Sequence, residues 1–249
     1  MKKKLVILSG AGISAESNIA TFRDTKDGSG LWENFDIMEV CSAEAWDKNP
    51  TKVNDFYNTR RIEVLNAVPN RAHIALAEAE EYFDIQILTT NVDDLHERAG
   101  SSNVLHIHGE ILKARSSNPC YNWAGISPDS KINNYKTYPV GRKGLTMNDL
   151  ADDGFPLRPD IVFFQESVPN LSKASDIIKE ADIFVVVGTS LSVYPAANLV
   201  WDTKPTCRSY CVNPDETQEE AGFPCVVIPY RATIGIPNLL KTLLSNGNV

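Results

Sequence analysis

The residues best suited to chemistry begin near the start of the chain. Gly10, Ala11 and Gly12 follow an apolar run and lead into Ser14, with Ala15 where a G-x-G-x-x-G pattern would place its last glycine. Such a turn bares backbone amides, and a helix start behind it favours a negative ligand, as at a dinucleotide pyrophosphate. By itself the segment also fits a plain strand-to-helix turn. Four histidines, His73, His96, His106 and His108, offer imidazoles whose ordinary pKa lies near neutrality. A lone histidine is more often a surface or core-filling residue. His73 and His106 are read that way, and His96 as structural. Five cysteines, Cys41, Cys120, Cys207, Cys211 and Cys225, are scattered without a C-x-x-C pair. Free thiols in a reducing cytoplasm are expected.

The elements that must position these groups follow from periodicity. Residues 5–9 read as a first strand, with a helix from about residue 14. Residues 24–49 look irregular, 51–67 helical through Val53, Phe56, Tyr57, Arg60 and Val64, and 70–82 helical again. Strands are expected at 84–89, 104–106, 161–164, 183–187, 209–212 and 225–228. Helices are expected at 170–180, from 196 to 201 and at 238–244, and residues 116–154 as a loop-rich insertion. Strands alternating with helices imply an α/β fold whose parallel sheet is covered on both faces.

Length and charge narrow the function. A chain of 249 residues suits one large domain with a smaller one inserted. A net charge of −8 argues against a nucleic-acid binder that works by neutralising phosphates. The apolar run at residues 5–8 is too short for a secretory signal. No stretch reaches the about 18 apolar residues of a membrane span.

Longer strings carry a family resemblance. Gly10-Ala11-Gly12-Ile13-Ser14 running on to Thr21-Phe22-Arg23 resembles the sirtuin signature in which a GAGxS turn leads to T-F-R. Thr89-Thr90-Asn91-Val92-Asp93-Asp94-Leu95-His96 resembles T-Q-N-x-D-x-L-H, and His108-Gly109 the family's His-Gly. Gly188-Thr189-Ser190-Leu191-Ser192-Val193-Tyr194-Pro195 resembles G-T-S-L-x-V-x-P. The run from Leu157 to Glu166 resembles the R-P-x-x-V-x-F-G-E strand, and Asn213 stands where the family has its ribose-contacting I-N.

The resemblance implies a Rossmann-like doubly wound parallel sheet, approximately residues 1–23, 78–112 and 155–249, with a smaller inserted domain at approximately 24–77 and 113–154. It implies NAD as a consumed co-substrate bound between them. Gly10, Ala11, Gly12 and Ser190 would cradle the pyrophosphate with Thr189 beside it, and Ser14 and Gly188 would also belong to the NAD site. Phe22 and Arg23 would close over the nicotinamide ribose, with Thr90, Asn213 and Ala232 completing the NAD site. Asp93 would accept from the nicotinamide carboxamide and Asn91 would position the ribose and a water. His108 would be the general base. An acyl-lysine amide oxygen attacks C1′ as nicotinamide leaves, and the imidazole takes a ribose hydroxyl proton. The products would be nicotinamide, deacylated lysine and O-acyl-ADP-ribose.

Tyr57 and Arg60 resemble the Y-x-x-R of sirtuins that remove succinyl and malonyl groups. Three apart on a helix they share a face, and a guanidinium with a phenol suits a carboxylate. Phe164, Gln165 and Val193 are expected at the substrate groove. Most sirtuins hold a four-cysteine zinc ribbon where residues 113–157 here contain Cys120 alone, with Ser116 and Asp152-Asp153 near the expected ligand positions. No zinc is therefore predicted, and Tyr121, Trp123, Tyr135, Tyr138 and Phe155 are expected to pack in its place. Thr90, Asp94, Gln165 and Ala20 also depart from the family's usual residues.

The expected partners are acylated-lysine proteins or peptides, with neither nucleic acid nor membrane, and a cytoplasmic monomer is expected. Competing readings use the same NAD site: NAD hydrolysis or mono-ADP-ribosyl transfer, or a non-catalytic NAD or ADP-ribose sensor. A sensor has no need of His108, Asn91 and Asp93. A dehydrogenase lacks support, since no second strand ending in a ribose-binding acid follows the glycine turn by about 20 residues.

Overall fold

The computed structural model describes residues 2–21, 36–119, 135–215 and 217–245. A six-stranded parallel sheet organises it: β1 (Lys4–Ser9), β2 (Asp84–Thr89), β3 (Val104–His106), β7 (Ile183–Val187), β8 (Arg208–Val212) and β9 (Val226–Ile228). A second, antiparallel sheet holds β4 (Gly109–Ser116), β5 (Thr137–Pro139) and β6 (Leu157–Ile161). The helices are α1 (Ile37–Val40), α2 (Ala43–Lys48), α3 (Pro50–Asn66), α4 (Arg71–Ala79), α5 (Leu95–Ala99), α6 (Leu171–Lys179), α7 (Gln218–Ala221) and α8 (Ala232–Ser245).

The large sheet runs in the order β3-β2-β1-β7-β8-β9. The chain winds outward from β1 in one direction, then returns to β1's other side and winds outward again. Both neighbours of β1 therefore lead away from it, and their loops diverge to leave a crevice at the carboxyl ends of the strands. Alternation along β1 covers both faces. Leu5 and Ile7 join α4 and α8 in one core, while Val6 and Leu8 join α6 and residues 196–200 in another. This is the doubly wound α/β arrangement that the sequence implied.

The small sheet packs against α1, α2 and α3. Val40, Trp46, Val53, Phe56 and Tyr57 meet Ile111, Ile161 and Phe163 there. The helix α3 begins where Asn49 accepts a hydrogen bond from Lys52 N (3.0 Å) and Pro50 takes the first helical position, where its missing N–H is no loss. The next helix, α4, starts with a reciprocal cap. Asn70 Oδ1 accepts from Ala72 N at 2.9 Å, and His73 Nδ1 accepts from Asn70 N at 3.3 Å.

Several expectations are corrected. No α-helix starts at Ser14: two 3-10 turns, Ala11–Ile13 and Ala15–Ser17, stand there, ended by Asn18 in the left-handed region (φ 61°). Within the segment read as irregular, the side chains of Asp36 and Ser42 cap α1 and α2. The strand expected at 161–164 is Leu157–Ile161, because the Arg158 and Asp160 side chains are buried in ion pairs and keep the sheet going where polarity argued against it. Gly109–Ser116 was missed as a strand for the same reason: Arg115 is fully buried. The α4 helix, placed in the smaller unit by the sequence, lies on the six-stranded sheet.

Where the ribbon's cysteines would stand, Ser116 Oγ donates to Asp153 Oδ2 at 2.8 Å, and Asn118 Nδ2 donates to the same oxygen at 3.2 Å. The Tyr135 hydroxyl donates to Asp160 Oδ1 at 2.9 Å. Cys120, Tyr121 and Trp123 lie outside the described residues. Among the described residues no three His, Cys, Asp or Glu side chains converge as metal ligands, and no helix is long and apolar enough to cross a membrane.

Candidate functional site

The glycine turn at the end of β1 packs directly on the turn at the end of β7. Gly10 N donates to Val187 O (3.0 Å) and Gly12 N to Gly188 O (2.8 Å). A Cβ on Gly12 would stand 2.7 Å from Gly188 Cα, and Gly188 itself has φ 63°. The two turns thus meet backbone to backbone, which side chains would prevent. Thr189 and Ser190 continue the second turn, with Thr189 Oγ1 accepting from Leu191 N at 3.1 Å. Asn213, at the end of β8, donates from Nδ2 to Thr189 O at 3.4 Å. Gly10, Ala11, Gly12, Gly188, Thr189, Ser190 and Asn213 are therefore gathered at one sheet edge. Ala232 opens α8 beside them, and Thr233 Oγ1 there donates to Glu16 Oε2 at 2.8 Å.

The loop after β2 joins this edge through Ser14. Its hydroxyl donates to Asp93 Oδ2 at 3.0 Å and accepts from Asn91 Nδ2 at 3.1 Å. All three residues are buried. Asp93 Oδ1 also accepts from Leu95 N (3.1 Å). Burial raises the Asp93 pKa, with the hydrogen bonds from Leu95 and Ser14 and the charge of His106 opposing it. Asn91 is fixed on its other sides too. Its N–H donates to Thr89 Oγ1 (3.1 Å), and its carbonyl accepts from His106 Nδ1 (3.2 Å).

His108 follows β3 and is half-buried. Burial lowers its pKa, and a hydrogen bond to the Thr90 backbone acts against that. The imidazole is thus neutral at physiological pH and able to accept a proton. The backbone around it is tight: Val162 N donates to His108 O at 2.9 Å, and Gly109 has φ 88° with Asp160 O 2.0 Å from any Cβ. Only glycine fits after His108. Thr90 Oγ1 donates to Ser9 O at 3.1 Å and so ties β2 to β1 above the sheet.

Of the residues expected to read the acyl group, Tyr57 is buried in α3, stacks on Phe163 at 5.8 Å, and donates from its hydroxyl to Cys41 Sγ at 3.3 Å. Arg60 lies one turn on, over the Phe56 ring at 5.9 Å, and forms an ion pair with Glu63. Phe164 N donates to Cys41 O at 2.8 Å, bridging this helical cluster to the segment after β6. Gln165 takes φ 75°, and its Oε1 accepts from Glu44 N at 3.2 Å. Val193 sits on the β7 turn, its carbonyl accepting from Ala197 N at 3.0 Å. Phe22 and Arg23 lie outside the described residues.

Sequence reasoning missed part of the support. His106, read as filler, holds Asn91 and contacts Glu97, the latter at 2.8 Å. Ser9 Oγ donates to Thr89 Oγ1 at 2.9 Å and sits 3.0 Å from His96 Nε2. The rings of His73 and His96 meet edge to face at 4.9 Å, and burial keeps both neutral. His73 comes from α4, across β2 from α5 and β3, so no local pattern shows that it meets His96.

Comparisons with known proteins fit this geometry. The Sir2 family pattern matches residues 10–195. An NAD-dependent protein deacylase of Helicobacter pylori (strain ATCC 700392 / 26695) is 50% identical over 215 residues, 85% of each chain. A protein of the same name from Bacteroides thetaiotaomicron is 41% identical over 242 residues, covering 97% of this chain and 98% of its own. Among solved structures, a Sir2 homolog–NAD complex aligns at TM-score 0.79 and 34% identity, over 98% of this chain and 91% of that one. A Sir2–p53 peptide–NAD+ complex aligns at TM-score 0.72 and 26% identity, over 99% and 94%.

Proposed function

The chain belongs to the Sir2 family and is an NAD-dependent protein deacylase, and on that premise we propose that it removes both acetyl and acidic acyl groups, succinyl and malonyl, from protein lysines. The observation that carries this reading is that Tyr57 and Arg60 stand one turn apart on α3, Tyr57 in the core that also holds Phe163 and Arg60 over the Phe56 ring with its guanidinium paired to Glu63.

The described residues fit NAD. Gly10, Gly12 and Gly188 let the turns after β1 and β7 close on each other backbone to backbone at the carboxyl ends of the strands, and Asp93 offers a buried acceptor suited to a carboxamide NH2. NAD supplies a ribose whose bond to nicotinamide is the one broken. The chain's own residues supply the rest. The glycine turn and the Gly188–Ser190 turn would flank the pyrophosphate, Ser14 orients Asp93 and Asn91, and His108 would take up a ribose hydroxyl proton because burial keeps its imidazole unprotonated. Arg60 holds the carboxylate of an acidic acyl chain, with the Tyr57 phenol beside it.

Glu63 competes for the same guanidinium. An acetyl group leaves that ion pair in place, and a succinyl group replaces it, so one pocket serves both. The test is mass spectrometry of acetyl-, malonyl- and succinyl-lysine peptides incubated with the protein, with and without NAD. NAD-dependent loss of all three, with nicotinamide and O-acyl-ADP-ribose appearing, supports the reading. Loss of acetyl alone removes the acidic-acyl part. Intact peptides with NAD consumed move the reaction to NAD hydrolysis.

A further inference from the structure

His106 and Glu97 lie behind the loop that carries Asn91. His106 Nδ1 is 3.2 Å from Asn91 O and Nε2 is 2.8 Å from Glu97 Oε1. A carbonyl oxygen accepts hydrogen bonds and never donates, and an ionised carboxylate does the same. An imidazole placed between two acceptors meets both only when both ring nitrogens carry hydrogen. We infer that Glu97 and His106 form a charged clamp, carboxylate to imidazolium to carbonyl, which positions Asn91 for the reaction.

The backbone makes His106 a firm anchor for that clamp. It is the last residue of β3 and pairs with Thr89 of β2. Its own carbonyl accepts from Asn170 Nδ2 at 2.7 Å, just ahead of α6. The Asn91 main chain is thus held from the sheet by Thr89 and from behind by His106, while its side chain reaches Ser14. Such anchoring is what keeps a reacting geometry from drifting.

The charges around the ring agree. Burial alone would lower the His106 pKa, but Glu97 on α5 and Glu110 on β4 raise it above the usual imidazole value. Glu97 is lowered in turn by its contact with His106, against its own burial. Asp93 and Asp94, in the loop before α5, also face this positive charge, which favours their ionised forms. His96 is kept neutral by burial and by the charge on His106, and Lys113 adds a positive charge that favours ionised Glu97. The His106 charge therefore helps Asp93 to remain an acceptor in a buried site.

The inference rests on the deacylase reading, since Asn91 matters only if the NAD site works as described. It makes His106 and Glu97 positioning residues, acting through Asn91 and Asp93 without touching substrate. The test uses the full-length wild-type protein, Glu97→Gln and His106→Gln. Each is measured by steady-state deacylation of an acetyl-lysine peptide across pH, and by nitrogen NMR of the histidine rings. Glu97→Gln keeps the shape of the clamp and removes its charge. The expected result is an imidazolium at His106 at pH 7 in wild type, titrating at lower pH in Glu97→Gln. With it, kcat falls at least about tenfold while KM for peptide is little changed, and the alkaline limb of the pH–rate profile shifts to lower pH. A neutral His106 at pH 7 in wild type overturns the clamp. So does a folded Glu97→Gln with unchanged kcat and pH profile. A wild-type protein without NAD-dependent deacylation counts against the reaction reading instead, and the ring titration then still decides the clamp.

Discussion

Ser14 Oγ lies 3.0 Å from Asp93 Oδ2 and also accepts from Asn91 Nδ2 at 3.1 Å, so one hydroxyl joins the turn after β1 to the loop after β2. The contact spans 79 positions of sequence. It joins the glycine turn and the Asn91–Asp93 loop into one hydrogen-bonded unit.

Ser14→Ala removes that joint. Asp93 loses a donor that holds its pKa down, and Asn91 Nδ2 loses its acceptor. Stability is expected to fall by about 1–3 kcal/mol, the range for buried polar groups left without a partner. The kcat/KM for NAD is expected to fall at least about tenfold, equal to about 1.4 kcal/mol of transition-state stabilisation. Wild-type kinetics in the variant would show that the Ser14 bridge plays no part in the reaction.

His108→Ala is expected to lower deacylation by about 10²–10⁴-fold, the usual contribution of a positioned acid or base. The protein should still fold, because the imidazole is only half-buried. Since burial lowers the His108 pKa, the base form persists below the ordinary imidazole value. The acid limb of kcat/KM should therefore lie below pH about 6.5. An acid limb above that value would point to a different base.

Arg60 and Glu63 should move acyl preference in opposite directions. Arg60→Met removes the carboxylate's partner and should lower desuccinylation relative to deacetylation by at least about tenfold, since charge-assisted bonds are the stronger kind. Glu63→Gln frees the guanidinium now in an ion pair and should raise the same ratio. Ratios of kcat/KM on matched peptides decide it. Arg60→Met with desuccinylation intact ends the acidic-pocket proposal.

The buried histidines set an acid limit on stability. His73 has no accessible surface, and burial, with the nearby Arg98 guanidinium, lowers its pKa to about 4. Between that value and the unfolded pKa of about 6.5, the unfolded chain binds a proton that the folded one refuses, so stability falls as pH drops through this window. The loss reaches on the order of 3 kcal/mol for this one group. His73→Gln keeps an acceptor for Asn70 N in the cap and removes the titration. Melting temperatures at pH 5 and pH 7 should differ less in His73→Gln than in wild type. Equal differences would mean that His73 does not set the acid limit.

The sequence by itself determined the strands β1, β2, β3 and β7 from their apolar residues, and the helix α3 from the spacing of Val53, Phe56, Tyr57, Arg60 and Val64. Its motifs were enough to show the family. It misjudged β4 and β6 because Arg115, Arg158 and Asp160 are charged yet buried, and polarity along a chain does not show that a partner is waiting. It also could not show that His106 holds Asn91 or that Glu63 holds Arg60's charge. Periodicity and capping are local properties, set by residues three or four apart. The site is built from the carboxyl ends of β1, β2, β3 and β7, and its contacts exist only once the parallel sheet brings those ends to one edge. That is why the tertiary structure decided which side chains meet and which protonation states they hold.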